Sequence, residues 1–290
     1  MPLLLGIDLG GTAVKLGICD ERGRVKDSAS IPTRARLGPR VVVEDMAAAA
    51  RRLKGFAATA SAGIGAPGPL DVRRTRVLVA PNLGWKDVPL PRMLGRALGR
   101  RVRLENDANC AAVAEAAAGA GRGVSSMALY TLGTGVGGGL VVNGRLWAGA
   151  AGGAGEFGHL TIDPRGPACP CGRRGCLEAL ASATAVARGA GAPNARAAFA
   201  MKSKRARAAV RVAAEALGSG IALVFNALQP ERFVLAGGMA LAGHGFLAAV
   251  RRAAAARIFA AYRGDLEIVL AQLGADAGWI GAALVSNQKP

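Results

Sequence analysis

Aromatic residues are scarce in this chain of 290 residues: seven Phe, three Trp and two Tyr make up 4% of it. So little ring surface excludes the stacking platforms that hold single-stranded nucleic acid, and it predicts a core of small and aliphatic side chains. Histidine is scarcer still, with two residues, and there are five cysteines, too few and too clustered for a disulfide framework. Acids are in short supply, 19 against 37 bases, for a formal net charge of +18. The surplus falls in separate groups (Arg51, Arg52 and Lys54; Arg73, Arg74 and Arg76; Arg92 to Arg103; Lys202 to Arg211; Arg251 and Arg252) with no aromatic residues between them. That pattern suits solvated faces, and no nucleic-acid partner is expected; a polyanionic partner or substrate is the alternative. No charge-free apolar run of about 18 residues occurs, so no membrane-spanning helix is expected. The start, Met1-Pro-Leu-Leu-Leu-Gly-Ile-Asp8, has an acid in its first apolar run and no basic residues, which fits a β-strand better than a signal peptide. A reducing, cytoplasmic setting is the expectation.

What is abundant is glycine, 42 residues, set between short apolar runs. Leu3 to Asp8, Ala13 to Cys19 and about Arg24 to Ile31 read as strands, with Gly10-Gly11 joining the first two. Val41 to Phe56 has helical spacing. Ser61 to Ala66 is a strand stopped by Pro67-Gly68-Pro69, and Pro91 to Leu98 a short helix. Arg101 to Glu105 alternates as a strand does, and Asn106-Asp107-Ala-Asn109 opens an alanine-rich helix. The order then recurs. Ser126 to Leu132 is a strand, Gly133 to Gly139 a glycine turn, Leu140 to Val142 a strand, and Asn143-Gly144 a hairpin signal. Leu177 to Arg188 and Ala206 to Leu228 are expected as helices, with a loop or frayed helix around 186–200. Phe233 to Ala236 is a strand ending in Gly237-Gly238, Ala240 to Phe259 is mainly helical, Leu266 to Ala271 is a strand, and Ala277 to Val285 closes the chain as a helix. Alternating strands and helices give an α/β class. The repeated strand–glycine turn–strand pattern suggests two related halves with a cleft between them.

Residues 133–138 fit G-x-G-x-x-G, but that fingerprint must open a helix and here a strand follows. No P-loop motif is present. What remains is two Gly/Thr turns, Gly10-Gly11-Thr12 and Gly133-Thr134-Gly135, whose backbone N–H groups can converge on phosphate oxygens; two plain hairpins are the alternative. His159, Cys169, Cys171 and Cys176 have the composition of a closed tetrahedral zinc shell, structural rather than catalytic. Glu156 and Glu178 bracket that loop and are not needed to complete it. Asp107, at the end of a strand, is either a catalytic carboxylate or a helix cap. His244 is read as a loop residue.

Asp8-Leu-Gly-Gly-Thr12, Gly63-Ile-Gly-Ala-Pro-Gly-Pro-Leu-Asp71, Pro81-Asn-Leu-Gly-Trp85, Glu105-Asn-Asp-Ala-Asn109, Leu132 to Gly139, Glu156-Phe-Gly-His159 and the Cys169–Glu178 run resemble, in order and over nearly the whole chain, the ROK family of sugar kinases and repressors. Asn82 to Leu90 and Gly152 to Glu156 resemble its glucokinase branch. The resemblance implies an actin-like ATPase (ribonuclease H-like) fold of two domains, 1–108 plus 276–290 and 109–275, with sugar in the interdomain cleft and a homodimer. It implies ATP and Mg²⁺ as well as structural Zn²⁺. Asp107 would be the general base on the sugar 6-hydroxyl. Asn82, Asn106, Asp107, Glu156, His159 and Glu178 would hold the sugar. Asp8 would lie near Mg²⁺, Gly10, Gly11, Thr12, Gly133, Thr134 and Gly135 would face the phosphates, and Gly237, Gly238 and Met239 the adenosine. His159 would serve zinc with one ring nitrogen and a sugar hydroxyl with the other.

The stretch from about Ala183 to Arg207 is shorter than is usual for the family and lacks its Gly-Asp pair before the long helix, which would reshape the C-terminal domain's edge or its dimer contacts. Kinases for fructose, mannose or an N-acetylhexosamine, and a polyphosphate-dependent glucokinase, are alternatives. A sugar-responsive repressor would carry a helix-turn-helix ahead of Asp8, for which this sequence leaves no room.

Overall fold

Seven residues, Leu3–Leu9 (β1), are aliphatic on both faces apart from Gly6 and Asp8, and β1 accordingly runs through the middle of a sheet. It pairs antiparallel with β2 (Ala13–Asp20) across the Gly10-Gly11 turn, and β2 pairs with β3 (Val25–Pro32), whose alternating exposure marks an edge strand. On its other side β1 pairs in parallel with β4 (Thr59–Ala66). Helix α1 (Gly38–Arg52), with Pro39 in its first turn, joins β3 to β4 and buries Val42, Val43 and Met46. A small hairpin of β5 (Val77–Ala80) and β6 (Trp85–Val88) carries Asn82 in its connection. Helix α2 (Leu90–Leu98) follows, then β7 (Val102–Asn106), the other edge of the sheet in the order β3-β2-β1-β4-β7. Helix α3 (Asp107–Ala118) leaves β7 directly.

The chain then builds a second sheet. β8 (Met127–Leu132) pairs antiparallel with β9 (Val136–Val142). Asn143 and Gly144, both at positive φ, make the hairpin turn into the two-residue strand β10 (Arg145–Leu146). Helices α4 (Leu177–Ala181), α5 (Ala183–Ala190), α6 (Ala195–Ala200) and α7 (Lys204–Leu228) come next. β11 (Arg232–Ala236) then pairs in parallel with β8, α8 (His244–Ala255) crosses over, and β12 (Ile268–Leu270) pairs in parallel with β11. The last helix, α9 (Ala277–Asn287), returns to the first sheet.

The computed structural model describes residues 2–288, in two compact units: 2–122 with 144–154 and 272–288, and 123–143 with 155–271. The expected boundary at 108–109 falls at the start of α3, which the first unit keeps whole because α3 packs along α9. Two glycines let α9 lie directly on the sheet: a Cβ on Gly6 would stand 1.8 Å from the Trp279 carbonyl oxygen, and one on Gly63 1.9 Å from that of Ala282. The first unit's core gathers Leu5, Ile7, Leu16, Ile18, Met46 and Ile64; the second's gathers Tyr130, Leu217, Ile221, Phe225 and Phe233. Helix α7 is long and apolar enough by composition to cross a membrane, a reading the sequence had set aside on charge. In the fold it is a core helix of the second unit, and the buried Tyr130 hydroxyl donates to the Gly220 carbonyl.

Two helical expectations are corrected. Leu177 to Arg188 is not one helix, because Ser182 is extended and buried and caps a new helix by accepting from the Ala185 N–H at 3.1 Å. The 186–200 stretch, expected as a loop or a frayed helix, is two ordered helical segments with a short break: Gly191 in the left-handed region ends α5, and Asn194 caps α6. His244 lies at the first residue of α8 rather than in a loop.

Candidate functional site

In the first unit the candidate residues meet at the carboxyl ends of β1 and β7. Asp8 is the partly buried residue before the last residue of β1, and a Cβ on Gly278 at the start of α9 would lie 2.5 Å from its Oδ2, so the carboxylate is pressed against that helix. Burial pushes the Asp8 carboxyl up to about 6, the negative charge of Asp107 adds to the shift, and the Lys15 ammonium opposes it. Two carboxylates far apart in sequence thus share one end of the sheet. The Gly10–Thr12 turn beside Asp8 is closed by the Gly10 N–H donating to the Ala13 carbonyl at 3.1 Å and by the Thr33 hydroxyl donating to the Gly10 carbonyl at 2.7 Å. Gly11 and Thr12 are exposed. A Cβ on Gly11 would lie 3.4 Å from that of Asn82, which puts the exposed Asn82 alongside this turn.

At the junction of β7 and α3 the roles of the neighbouring residues separate. Asn106, not Asp107, is the helix cap: its Oδ1 accepts from the N–H groups of Ala108 and Asn109 at 2.9 and 3.2 Å. That oxygen is spent, so Asn106 has its amide donors left for a ligand. Asp107 is the first helical residue, and its Oδ1 accepts from the Ala108 N–H at 2.8 Å. Asn109 is buried and donates to Glu105 Oε1 at 2.9 Å.

Glu105 and Arg74 were not singled out by sequence reasoning as a site pair. Glu105 is buried, and Arg74 reaches both of its oxygens, Nη2 to Oε1 at 3.1 Å and Nε to Oε2 at 3.2 Å. Arg74 also donates to the Gly152 carbonyl at 2.9 Å, and Glu105 Oε1 accepts from the Asn106 N–H at 2.8 Å. This fork of charge-assisted bonds fixes the backbone immediately before Asp107. The available signal was Glu105 itself, an acid on a half-buried strand next to the candidate base.

The second unit holds the other set. The Gly133–Gly135 turn joins β8 to β9, with Gly133 and Thr134 exposed. Glu178, on the first turn of α4, accepts from the Val136 N–H through Oε2 at 3.0 Å, and a Cβ on Gly135 would stand 2.3 Å from that oxygen. Half of this carboxylate therefore braces the turn, leaving Oε1 for a ligand. The start of α5 braces the same turn: the Ala183 N–H donates to the Gly133 carbonyl at 2.8 Å and the Thr184 hydroxyl to the Thr134 carbonyl at 2.9 Å. Gly237, at φ +89°, packs against the end of β8, where a Cβ would meet the Leu132 oxygen at 2.5 Å. Gly237 and Gly238 are exposed beside the Gly133 turn, whereas Met239 is buried in the core and has only backbone to present.

Glu156 is exposed, two residues before the buried Gly158. His159 Nδ1 lies 3.7 Å from Cys169 Sγ, and Cys171 Sγ lies 3.6 Å from Cys176 Sγ. All four donor atoms fall within 4.8 Å of one another. Sulfurs bonded at about 2.3 Å to a tetrahedral ion stand roughly 3.8 Å apart, so the donor set fits zinc, and the separation is far too long for a disulfide. Burial pushes the Cys169 thiol up to about 12 and raises that of Cys176, while the Arg173 backbone N–H brings the exposed Cys171 down to about 6. Cys176 also anchors the loop by pairing with Thr161 across a β-bridge and standing at the cap position of α4.

The ROK family model matches residues 4–289. A glucokinase of Halalkalibacterium halodurans is 36% identical, covering 98% of this chain and 95% of that one. The crystal structure of a ROK hexokinase from Thermus thermophilus shares 40% identity with a TM-score of 0.89, over 98% of this chain and 97% of that one. That of a ROK family glucokinase from Streptomyces griseus, in complex with glucose and AMPPNP, shares 31% identity with a TM-score of 0.85, over 99% and 100%. The fold is the actin-like ATPase fold, with one sheet core in each unit. A family model spanning almost every residue, relatives matched end to end and two sheets built on paired glycine turns lead to one assignment: the chain belongs to the ROK family.

Proposed function

We propose that this chain is an ATP-dependent glucokinase, transferring the γ-phosphoryl group of ATP to the 6-hydroxyl of glucose with Asp107 as general base. The kinship with glucokinases along the full length supports this, and one observation carries the site assignment: Asp8 and Asp107 lie close enough at the ends of β1 and β7 for each to feel the other's charge. Phosphoryl transfer asks a protein mainly for alignment and charge neutralisation, with one base on the attacking oxygen. Asp107 is that base. Asp8 is the carboxylate that would hold Mg²⁺, whose charge offsets that of the phosphates. The Gly10–Thr12 and Gly133–Gly135 turns face the phosphates with N–H groups other than those of Gly10 and Gly133, which are bonded within the turns, and Gly237 and Gly238 leave room for the adenosine.

Glucose presents hydroxyls that both donate and accept, which carboxylates and amides orient. Glu156 and Glu178 Oε1 accept from the ring hydroxyls, while Asn82 and Asn106 supply amide groups. His159 turns Nδ1 toward the thiols and keeps Nε2 for a hydroxyl. Zinc, held by His159, Cys169, Cys171 and Cys176, supplies rigidity. Such a thiolate set needs reducing surroundings, in keeping with a cytoplasmic enzyme. The two compact units are the two domains of the kinase. A homodimer follows from the family resemblance. The test is a coupled assay over glucose, fructose, mannose and N-acetylmannosamine, with ATP and polyphosphate as donors. The highest kcat/KM is expected for glucose with ATP; a higher value for another pair reassigns the substrate or donor.

A further inference from the structure

A cavity of about 810 Å³ opens in the first unit along β7, between the 73–76 turn, the start of α2 and the end of α9. Neither Asp8, Asp107 nor any glycine of the two turns lines it. Its walls carry seven arginines and a single acid, Glu105, whose carboxylate is already engaged by Arg74. Arg76 is paired with Asp87, Arg100 is held by Thr59 and lies 4.3 Å over the Phe56 ring, and Arg103 reaches, among the described residues, only the Val285 carbonyl, at 3.5 Å. Arg73, Arg92 and Arg101 are exposed and make no ion pair or hydrogen bond among the described residues. β7 is a sheet edge and leaves a row of backbone groups unpaired. Pro89, Pro91, Val102 and Val285 complete an apolar wall.

We propose that this cavity binds a compact organic anion bearing two or more phosphate groups, at a site separate from the candidate active site. Several guanidinium groups gathered without compensating carboxylates repel one another, and an anion relieves that repulsion. Guanidinium forks match phosphate oxygens in pairs, which ammonium groups do not. The volume lies within the range of roughly 300–1,000 Å³ typical of small-molecule sites, larger than an inorganic ion needs, and the apolar wall suits a carbon skeleton. Nucleic acid fits poorly, because no aromatic side chain lines the cavity. Arg74 borders this cavity and also grips Glu105, so an occupant touching Arg74 bears on the strand end that positions Asp107.

Inorganic tripolyphosphate is the probe. Calorimetric titration at low ionic strength should give binding to wild type at least tenfold tighter than to the triple variant R73A/R92A/R101A. Orthophosphate should bind wild type more weakly than tripolyphosphate, and the wild-type affinity should fall as salt rises. The nucleotide-binding turns are the same in both proteins, so only the arginine-dependent part of the binding is diagnostic. Equal affinities in wild type and variant overturn the proposal. The three side chains are exposed, so the variant should fold; if it does not, R92Q/R101Q carries the same test with the same two outcomes.

Discussion

Asp107 is held in place by residues that do other work. Asn106 caps α3, Glu105 is clamped by Arg74, and the carboxylate between β7 and the helix is set by both. Replacing Asp107 by Asn keeps the shape and removes the proposed base, so kcat should fall by about 10²- to 10⁴-fold, while glucose binding measured by calorimetry stays within a few-fold. A near-normal kcat would sink the assignment. Asp8 makes a second prediction, read from stability. Its carboxyl is pushed up to about 6, chiefly by burial, from an ordinary value of 3.8. Well below about pH 4 it is protonated in both folded and unfolded chains and costs nothing. Between about 4 and 6 the unfolded chain ionises it while the folded chain holds its proton, so the cost builds, and above 6 it levels off at about 3 kcal/mol. Asp8→Asn carries no such cost. In nucleotide- and Mg²⁺-free buffer the variant's advantage in unfolding free energy should therefore climb by up to about 3 kcal/mol between pH 4 and 7; chemical denaturation across that range measures it, and a level difference refutes it. At this scale the place of Asp107, directly after a strand and at the start of a helix, was legible from its neighbours' pattern; its role as base is the proposal that the variant tests. Arg74 was not: nothing in a run of arginines tells which one finds a buried acid 31 positions away in the chain.

The zinc loop acts through the elements on either side of it. The metal would fix Cys176, Cys176 starts α4, and α4 carries Glu178, which holds the Gly135–Val136 turn. Loss of the metal should loosen a proposed ligand of the sugar and a wall of the proposed phosphate site together, with the sugar affected first because His159 and Glu156 belong to the loop itself. Cys171→Ser, or chelation of the wild type, should raise the KM for glucose at least about tenfold and lower the melting temperature. Metal analysis should find about one zinc per chain in the wild type and little in the variant. A metal-free protein of full stability and unchanged KM would count against the whole chain of contacts. This loop was legible because soft-metal ligands must be close in sequence or marked by type. The break between α4 and α5 was not, since Leu177 to Arg188 holds no proline or glycine before Gly189. The break exists because the Ala183 N–H and the Thr184 hydroxyl bond to the Gly133 turn instead of continuing a helix. The β5–β6 hairpin escaped notice for a related reason: four-residue strands carry almost no periodicity, and only their pairing reveals them.

For the molecule as a whole, charge is the property least like a neutral core wrapped in mixed surface. Seven ion pairs are present among the described residues, against 37 basic side chains in the chain. Most of those bases face solvent uncompensated, and a net charge of +18 repels itself more in the folded chain than in the expanded one. Screening should therefore stabilise the fold. The Debye length shortens from about 30 Å at 0.01 M salt to about 8 Å at 0.15 M, which is enough to uncouple groups on opposite faces of a unit. A relief of about 1 kcal/mol corresponds to a rise of roughly 2–4 °C in melting temperature for a protein of this size. Melting followed by circular dichroism in sodium chloride from 10 to 150 mM should show that rise. Sodium sulfate should match it at equal ionic strength if screening alone is at work, and exceed it if the arginine cavity gathers divalent anions. A melting temperature that stays level or falls with chloride would mean that the positive charges are already compensated within the fold, and that the crowding inferred around β7 is not felt as repulsion.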